Sequence, residues 1–339
     1  MKNLLNILAA LVLGLLCGCS KEKFPEKNDR EITIVPMVDD VETSTKAMLY
    51  HAEPDLRDDM FNVQAYLHGT DNRYFNSNMF YSDQSLDVSE HKWYFEGYKK
   101  FYWPLTDALD FFAYAPTSIP TSDESPYSIK VNYAINPPTF TAKLPLNNTE
   151  TTIHQYNMKE FMCAYVQNKD KSTEVLNLSF THPFAAIKFR VKQSQRNLRV
   201  NYIKIDGIEY SGTFNLLDND SSKPNWTFGQ DDANGDFNLK IDKTIPTDVN
   251  FGGDLCDYCL VLPQSNDGGK DFSIECYWEG YDKEGGNDTR VLTGIITNTW
   301  EASKLYTYEL DLGNSREEIL FEVSVEPWKW VYEHEIPIE

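Results

Sequence analysis

Residues 176–192 decide the fold class, and they read Leu-Asn-Leu-Ser-Phe-Thr-His-Pro-Phe-Ala-Ala-Ile-Lys-Phe-Arg-Val-Lys. On both sides of Pro183, every second residue is apolar. These apolar positions are Leu176, Leu178, Phe180, Ile187, Phe189 and Val191. Alternation with a period of two is typical of a strand that has one buried face and one wet face. Antiparallel sheets carry this pattern, so the stretch predicts two strands of an all-β fold.

The same alternation recurs on both sides of this stretch. It runs through residues 31–38, 61–67, 306–312 and 321–325. Several short strands joined by Gly, Asn and Asp turns predict β-sandwiches. The segments 158–165 and 301–305 are only weak helix candidates. A polar break at residues 167–173 predicts an N-terminal sandwich domain over 31–172 and a C-terminal sandwich domain over 173–339.

The first 30 residues have the composition of an export signal followed by a tether. Lys2 precedes an apolar run, Leu4 to Leu16, which is too short to span a bilayer. Gly18 then precedes Cys19, and this arrangement resembles a bacterial lipobox. We expect residues 1–18 to be removed and Cys19 to carry lipid, including palmitate, as a membrane anchor. The alternative is an ordinary signal peptide with an incidental Cys19. Charged residues 19–30 predict a flexible tether.

Composition restricts the classes of function that are open to this protein. The sequence has 31 Lys+Arg against 52 Asp+Glu, a formal net charge of -21. Such a surface repels phosphate backbones, so we expect no nucleic-acid partner. The 20 Tyr, 19 Phe and 7 Trp favour strands. We expect most aromatic residues between Trp93 and Tyr114 to fill a sandwich core.

Four cysteines remain once Cys17 and Cys19 are set aside. They are Cys163, Cys256, Cys259 and Cys276. Export permits two disulfides in any of three connectivities. Cys256 and Cys259 lie three apart in a strand-like run, where their side chains point to opposite faces, which argues against joint zinc binding. Structural thiols, or one disulfide to Cys276, remain the alternatives.

We identify no catalytic constellation in the sequence. Residues 230–235 loosely resemble a calcium loop but lack its acidic first and twelfth ligands. The six histidines are scattered, and His182 is interpreted as a packed or capping residue. Neither a nucleophile elbow nor a phosphate-cradling loop is present. We therefore expect a protein that is not an enzyme and has no cofactor and no metal site.

Several segments together resemble the fimbrillin-like proteins of Bacteroidetes, in that family's order over residues 30–330. The segments are Tyr102-Trp-Pro-Leu105, Leu109-Asp-Phe-Phe-Ala-Tyr-Ala-Pro116, Leu178 to Phe189, Leu262-Pro-Gln264, Trp300 with Tyr306-Thr-Tyr-Glu-Leu310, and Val325-Glu-Pro-Trp328. The resemblance implies two tandem β-sandwich domains of transthyretin-like (Greek-key) topology. It also implies a cell-surface lipoprotein of the outer membrane that acts as a type V pilus subunit, tip or anchor and mediates adhesion.

The resemblance further implies assembly by donor-strand addition. A trypsin-like protease cuts after a basic residue behind the first strand, and a strand of the next subunit fills the groove that this strand leaves. Here the first strand is Glu31 to Val38, and the cut would follow Lys46 or Arg57. Acidic Asp58 disfavours a cut at Arg57, so we prefer Lys46. Alternatively neither site is cut, and an anchor subunit keeps its lipid and first strand.

The donor strand and the ligand stay open at this point. Val331 to Ile338 could extend as a donor tail, although Pro337 lacks an amide donor, or it could be the last strand of the second domain. The expected partners are other pilus subunits, the outer membrane through the lipid, and a host or bacterial surface ligand. The alternative function is a glycan-binding surface lipoprotein with exposed aromatic rings. Exposure of those rings would discriminate between the two functions.

Overall fold

The computed structural model describes residues 27–38, 60–82, 93–117, 128–144, 161–192, 198–216, 226–228, 234–245, 253–256, 258–278, 290–312 and 319–327. Strands dominate these residues, and the only helical element among them is a 3-10 turn, Glu96–Tyr98. None of the described residues form a helix with the length and apolar character that crossing a bilayer requires.

The strands before residue 172 are numbered in sequence order. They are β1 (Lys27–Glu31), β2 (Ile34–Val38), β3 (Phe61–Leu67), β4 (Arg73–Tyr81), β5 (Trp93–Phe95), β6 (Tyr102–Pro104), β7 (Leu109–Ala115), β8 (Ser128–Asn132), β9 (Thr139–Lys143) and β10 (Met162–Lys169).

The strands after residue 172 continue this numbering. They are β11 (Leu176–Phe180), β12 (Ala185–Val191), β13 (Leu198–Glu209), β14 (Ser211–Asn215), β15 (Trp226–Phe228), β16 (Asn234–Ile245), β17 (Cys259–Val261), β18 (Lys270–Trp278), β19 (Arg290–Ile296), β20 (Lys304–Asp311) and β21 (Leu320–Pro327).

The first sandwich has an antiparallel five-stranded sheet in the spatial order β10-β7-β3-β4-β5. Its opposing layer consists of two strand pairs, β1 with β6 and β2 with β11. Apolar side chains from both layers form one core. They include Ile32, Ile34, Phe61, Val63, Phe75, Trp103, Phe111, Leu178 and Phe180. The aromatic stretch therefore supplies much of this core, as the sequence predicts.

The second sandwich packs the sheet β17-β12-β20-β21 against the sheet β16-β13-β18-β19. Its core includes Ile187, Phe189 and Val191, the inward positions of the stretch that decides the fold class. Trp300 is fully buried and donates a hydrogen bond from its indole Nε1 to the Tyr308 hydroxyl at 2.7 Å. The predicted all-β class and the two β-sandwiches are confirmed.

A further four-stranded sheet connects sequence from both sides of residue 172. This sheet has the order β15-β14-β9-β8, and β9 pairs with β14 from Thr139↔Asn215 to Lys143↔Ser211. It covers a third core that also includes Phe112 of β7 and Phe184. Since β2 also pairs with β11, strand pairing crosses the predicted domain boundary twice. The division at residue 172 stays a prediction about independent folding units.

Three local expectations differ from the structure. Residues 162–165 of one helix candidate belong to β10, and residues 304–305 of the other belong to β20, so these residues are extended. The last four residues of the predicted tether, 27–30, belong to β1. The polar face of β3 is buried rather than wet, because Tyr66 and the loop at Tyr133 cover it.

Candidate functional site: the first-strand groove

The candidate site is the place that residues 27–38 occupy in the first sandwich. The strand predicted over residues 31–38 begins earlier in the structure, at Lys27, so from here on residues 27–38 are called the first strand. The space between β6 and β11 that they fill is the first-strand groove. β1 pairs antiparallel with β6, with Glu31 opposite Tyr102. β2 pairs parallel with β11, from Ile34 opposite Leu176 to Val38 opposite Phe180. The first strand therefore lies inside its layer and joins β6 to β11.

Two backbone hydrogen bonds mark the change of partner at residues 32 and 33. The Ile32 amide donates to the Phe101 carbonyl oxygen at 2.8 Å. The Thr33 carbonyl oxygen accepts from the Leu176 amide at 2.9 Å. Within the described part of the protein, the Thr33 amide donates to no acceptor. Where the first strand changes partner, the amide of residue 32 therefore bonds toward β6 and the carbonyl of residue 33 bonds toward β11.

Two isoleucine side chains anchor the first strand in the core. Ile32 and Ile34 are each only 2 % exposed and belong to the same buried cluster as Phe61, Trp103 and Leu178. Full burial of an aliphatic side chain of this size contributes about 1.5–3 kcal/mol. The pair therefore contributes a large part of the described apolar burial of this segment, to which the buried Pro36 adds.

Charged side chains connect the first strand to the rim of the groove. The Lys100 ammonium lies 2.9 Å from Glu31 Oε2, and both side chains are substantially exposed. Arg30 Nη1 donates to the Lys171 carbonyl oxygen at 2.6 Å, and Lys171 Nζ donates to the Leu105 carbonyl oxygen at 2.7 Å. An exposed ion pair contributes at most about 1 kcal/mol, so these contacts favour one register more than they add stability.

Sequence reasoning did not find Lys100 or Lys171. Lys100 is 69 positions away from Glu31, and a lone lysine beside an aromatic run has the appearance of an ordinary surface charge. A search for basic residues that could pair with the charged end of a predicted strand would have identified Lys100 as a candidate. Only the fold shows which charges meet.

The expected processing and lipidation residues lie outside the described residues. Cys19, Lys46 and Arg57 all fall there, as do residues 331–338. Lys46 and Arg57 belong to the connection between Val38, the last residue of β2, and Phe61, the first of β3. This connection is the covalent link between the first strand and everything that follows it in the sequence.

Loss of the first strand would expose two backbone edges and part of the first core. β6 and β11 would lose backbone partners on facing edges, and the core residues beneath Ile32 and Ile34 would meet solvent. Unpaired strand edges beside an apolar groove are the features that strand addition uses, with main-chain hydrogen bonds for affinity and side-chain pockets for specificity.

The cysteines are buried thiols rather than disulfides. Cys256, Cys259 and Cys276 lie in the second core, and Cys163 lies in the third. Burial raises the pKa of the Cys276 thiol to about 12 and raises that of Cys163 strongly. Such thiols are poor nucleophiles and poor metal ligands at neutral pH. Among the described residues, no group of three or more His, Cys, Asp or Glu side chains could hold a metal ion.

The other sequence candidates show no converging chemistry. His182 is buried at 4 % exposure, in agreement with a packed residue. Of residues 230–235, only 234 and 235 are described, and they begin β16. Tyr98 is 49 % exposed, but its ring contacts Phe80 and Tyr94 edge-on, with interplanar angles of 82° and 60°. These three rings do not form the planar row that a glycan platform would need.

The comparisons with known proteins agree with this architecture. The family model described as fimbrillin-like matches residues 54–328, and the chain belongs to this family. No curated protein matches the sequence. A fimbrial protein from Bacteroides vulgatus has a similar structure, with a TM-score of 0.60 at 16% sequence identity, over 89% of this chain and 100% of that chain. A candidate cell adhesion protein from Bacteroides eggerthii has a TM-score of 0.50 at 11% identity, over 91% of this chain and 98% of that chain.

Proposed function

We propose that this protein is a fimbrial lipoprotein that assembles by strand addition at the first-strand groove and mediates adhesion at the cell surface. One observation carries the proposal. The first strand connects β6 to β11, pairing with β6 through β1 and with β11 through β2, and it has two isoleucines in the core. A strand in that position leaves a groove that only another extended segment can fill well. Membership of the fimbrillin-like family supports the same role.

Processing provides the switch from monomer to subunit. In this proposal Cys19 carries the lipid that takes the protein to the outer membrane, and a trypsin-like protease then cuts after Lys46. Arg57 is the second choice because Asp58 follows it. The cut separates the lipid and the first strand from the body of the protein. A stalk or tip subunit loses both, whereas an anchor subunit stays uncut and keeps both.

The function needs no catalysis. The partners are other pilus subunits, through strand exchange, and a ligand on a host or bacterial surface. The sandwiches provide rigid links, since their cores are closed by large buried aromatic residues. The burial of many aromatic rings among the described residues supports this structural role over the glycan-binding alternative.

The N-terminus and the assembly state of protein from the native cell surface test the proposal. We expect a new terminus at Ala47, together with a ladder of species on gels that disappears on boiling. The variant Lys46→Ala should block both, and Arg57→Ala should leave both unchanged. An intact lipidated Cys19 in a uniformly monomeric protein would contradict the subunit role. The variant Cys19→Ala, with metabolic palmitate labelling, tests the lipid separately.

A further inference from the structure

A chain of hydrogen-bonded polar side chains lies on the face of the five-stranded sheet that points away from the first core. The Tyr66 hydroxyl donates to Gln64 Oε1 at 2.8 Å, and Gln64 Nε2 donates to Asn62 Oδ1 at 3.1 Å. Gln64 and Asn62 are both buried. Because a buried amide must find partners for its polar atoms, this chain of bonds fixes the orientation of each amide in it.

The polar chain reaches the surface at β4 and the turn after β5. Asn62 Nδ2 donates to Asn76 Oδ1 at 2.8 Å and to Asn78 Oδ1 at 2.9 Å. Asn78 Nδ2 donates to Glu96 Oε2 at 3.2 Å. Asn76 and Glu96 are exposed, and among the described residues Asn76 Nδ2 and Glu96 Oε1 have no hydrogen-bond partner. The surface therefore presents an amide donor and a carboxylate acceptor whose neighbours are held in place from below.

Aromatic rings lie directly beside these polar groups. Phe80 follows Asn78 on the same face of β4 and is opposite Tyr94 of β5. The Tyr98 ring centroid lies 5.4 Å from that of Phe80 and 5.5 Å from that of Tyr94. Tyr98 is exposed, whereas the other two rings are half-buried. We call the five residues at this surface the β4 strip, and they are Asn76, Asn78, Phe80, Glu96 and Tyr98.

The backbone that carries the exposed ring is unusual. Tyr98 has a φ of 52°, and Gly97 before it has a φ of 69°. A positive φ is uncommon in a bulky residue and costs free energy. Strained backbone of this kind is concentrated at binding sites and catalytic sites, where the surrounding structure holds it in place. This strain is a second, independent feature of the β4 strip.

A sugar ring is complementary to this combination of groups. A pyranose has an apolar face of C–H groups, which can pack on the Tyr98 ring, and a rim of hydroxyl groups. Each hydroxyl can both donate and accept a hydrogen bond. One hydroxyl can therefore accept from Asn76 Nδ2 while another donates to the Glu96 carboxylate. The same carboxylate would repel a sugar that carries an acidic group.

We infer that the β4 strip binds a neutral sugar, and that the surface ligand of the proposed adhesion is a glycan. The site needs a single exposed ring with polar groups beside it, not the planar row of rings that a broad glycan platform requires. The aromatic residues in the cores keep their structural role. The part that this site plays in adhesion rests on the proposed function.

Binding of the full mature protein to an array of defined glycans tests the ligand class. The array carries neutral oligosaccharides together with sialylated and sulfated forms of them. We expect the wild type to bind neutral glycans, and titration calorimetry with the glycan that gives the strongest signal then provides a Kd. Failure to bind any neutral glycan, or binding to the acidic forms alone, would overturn the inference.

Two substitutions locate the site. Tyr98→Ala should weaken glycan binding by at least about tenfold, because the stacking surface is lost. Asn76→Asp keeps the shape of the side chain but replaces an amide donor by an acceptor, and it should weaken binding by about tenfold as well. Both side chains are exposed, so urea unfolding should show that both variants fold.

Tyr202→Ala is the matched control for these variants, because it removes an exposed tyrosine ring from the second sandwich. The Kd of this variant should equal that of the wild type. Equal affinities of Tyr98→Ala and Tyr202→Ala would overturn the placement of the site on the β4 strip.

The same variants on cells distinguish failure of this inference from failure of the proposed function. Tyr98→Ala should reduce adhesion to a surface coated with the neutral glycan. It should leave the heat-sensitive ladder and the terminus at Ala47 unchanged, because the first strand packs on the opposite face of the sheet. If the wild type forms the ladder but binds no neutral glycan, the pilus role stands and the ligand assignment is wrong. If the purified protein binds the glycan but cells show no ladder, the site stands and the proposed assembly fails.

Discussion

Asp110 of β7 forms hydrogen bonds with three separate segments of the protein. Its buried carboxylate accepts hydrogen bonds from His68 Nδ1 at 2.7 Å, Asn136 Nδ2 at 2.8 Å and the Asn168 amide at 2.8 Å. Asn168 has a positive φ of 54°, and the pairing of β10 with β7 shifts register beside it. The carboxylate therefore compensates for an irregular strand end.

The first prediction concerns the charge of Asp110. Burial alone would raise the pKa of this carboxyl, but the hydrogen bonds from Asn168, Asn136, His68 and Gly69 outweigh burial and lower it. A lowered pKa in the folded state adds stability that is complete above the unfolded pKa of about 3.9 and is lost as the pH falls below it. Asp110→Asn should thus lower the free energy of unfolding by about 1.5–3 kcal/mol at neutral pH. In urea titrations this difference should shrink below about pH 4.

The exposed neighbour Asp107 provides the matched control for that experiment. Asp107→Asn should change the unfolding free energy by less than about 0.5 kcal/mol. A difference between Asp110→Asn and wild type that stays constant from pH 7 to pH 3 would contradict the account.

The second prediction concerns Ile34. Truncation to alanine leaves a cavity in the first core, so Ile34→Ala should cost about 2–5 kcal/mol. In protein cut between β2 and β3, the same change should speed release of the first strand, as measured by size-exclusion chromatography. Val35 faces away from this core and is half-buried, so Val35→Ala should have a much smaller effect. Equal release rates for the two variants would show that the isoleucine pocket does not hold the strand.

At the scale of elements, two edge strands of the second sandwich expose apolar side chains. Val291 and Ile295 of β19 are 53 % and 58 % exposed, and Val325 of β21 is 51 % exposed. Exposed β-branched residues on an edge strand favour pairing with another molecule. The neighbouring Ile319 amide donates to the Thr293 carbonyl oxygen at 2.8 Å, so only part of the β19 edge is covered by the described residues.

The third prediction follows from that edge. The double variant Val291→Lys with Ile295→Lys should leave the free energy of unfolding within about 0.5 kcal/mol of wild type, because neither side chain is buried. Light scattering at high protein concentration should show less self-association. Thr293→Lys adds a charge to the same face without removing an apolar side chain and is the control. Unchanged scattering in the double variant would mean that this edge does not associate.

The strands also show which structural features the apolar alternation in the sequence predicts and which it does not. Alternation predicted β3, β11, β12, β20 and β21, because each has one face toward a core. It did not predict that Asn62 and Gln64 of β3 are also buried, because Tyr66 and the loop at Tyr133 cover this face and hydrogen bonds compensate the polar side chains. Residues 162–165 carry no clear alternation because β10 is buried at its start and exposed at its end.

At the scale of the whole molecule, the sheet β15-β14-β9-β8 and the third core couple the two sandwiches. Phe140 is fully buried there and stacks on Phe214 with ring centroids 4.7 Å apart. The paired strands β9 and β14 lie about 70 residues apart in the sequence. Alternation with a period of two indicates which side chains share a face of a strand, but it does not indicate which strands pair. The family resemblance predicted the position of the first strand, whereas Lys100 and this shared sheet required the structure.

The fourth prediction concerns cooperativity. We expect the wild-type protein to unfold in one urea transition, with hydrogen exchange in β7 and β13 protected to the same free energy. Phe140→Ala should cost about 3–5 kcal/mol and separate the two sandwiches into distinct transitions. Phe272→Ala removes a buried ring from the second core alone and is the control. Two transitions already in the wild type would show that the third core does not couple the sandwiches.

The place of the first strand between β6 and β11 has a mechanical consequence. A tension applied along this strand loads the hydrogen bonds on both of its sides in shear, because the bonds lie across the direction of pull. A strand at a sheet edge that is pulled sideways instead loses its bonds one at a time and peels away at low force. Any segment held in this groove and pulled lengthwise should therefore resist rupture until many bonds fail together, and single-molecule stretching along that axis should record a high, abrupt force peak.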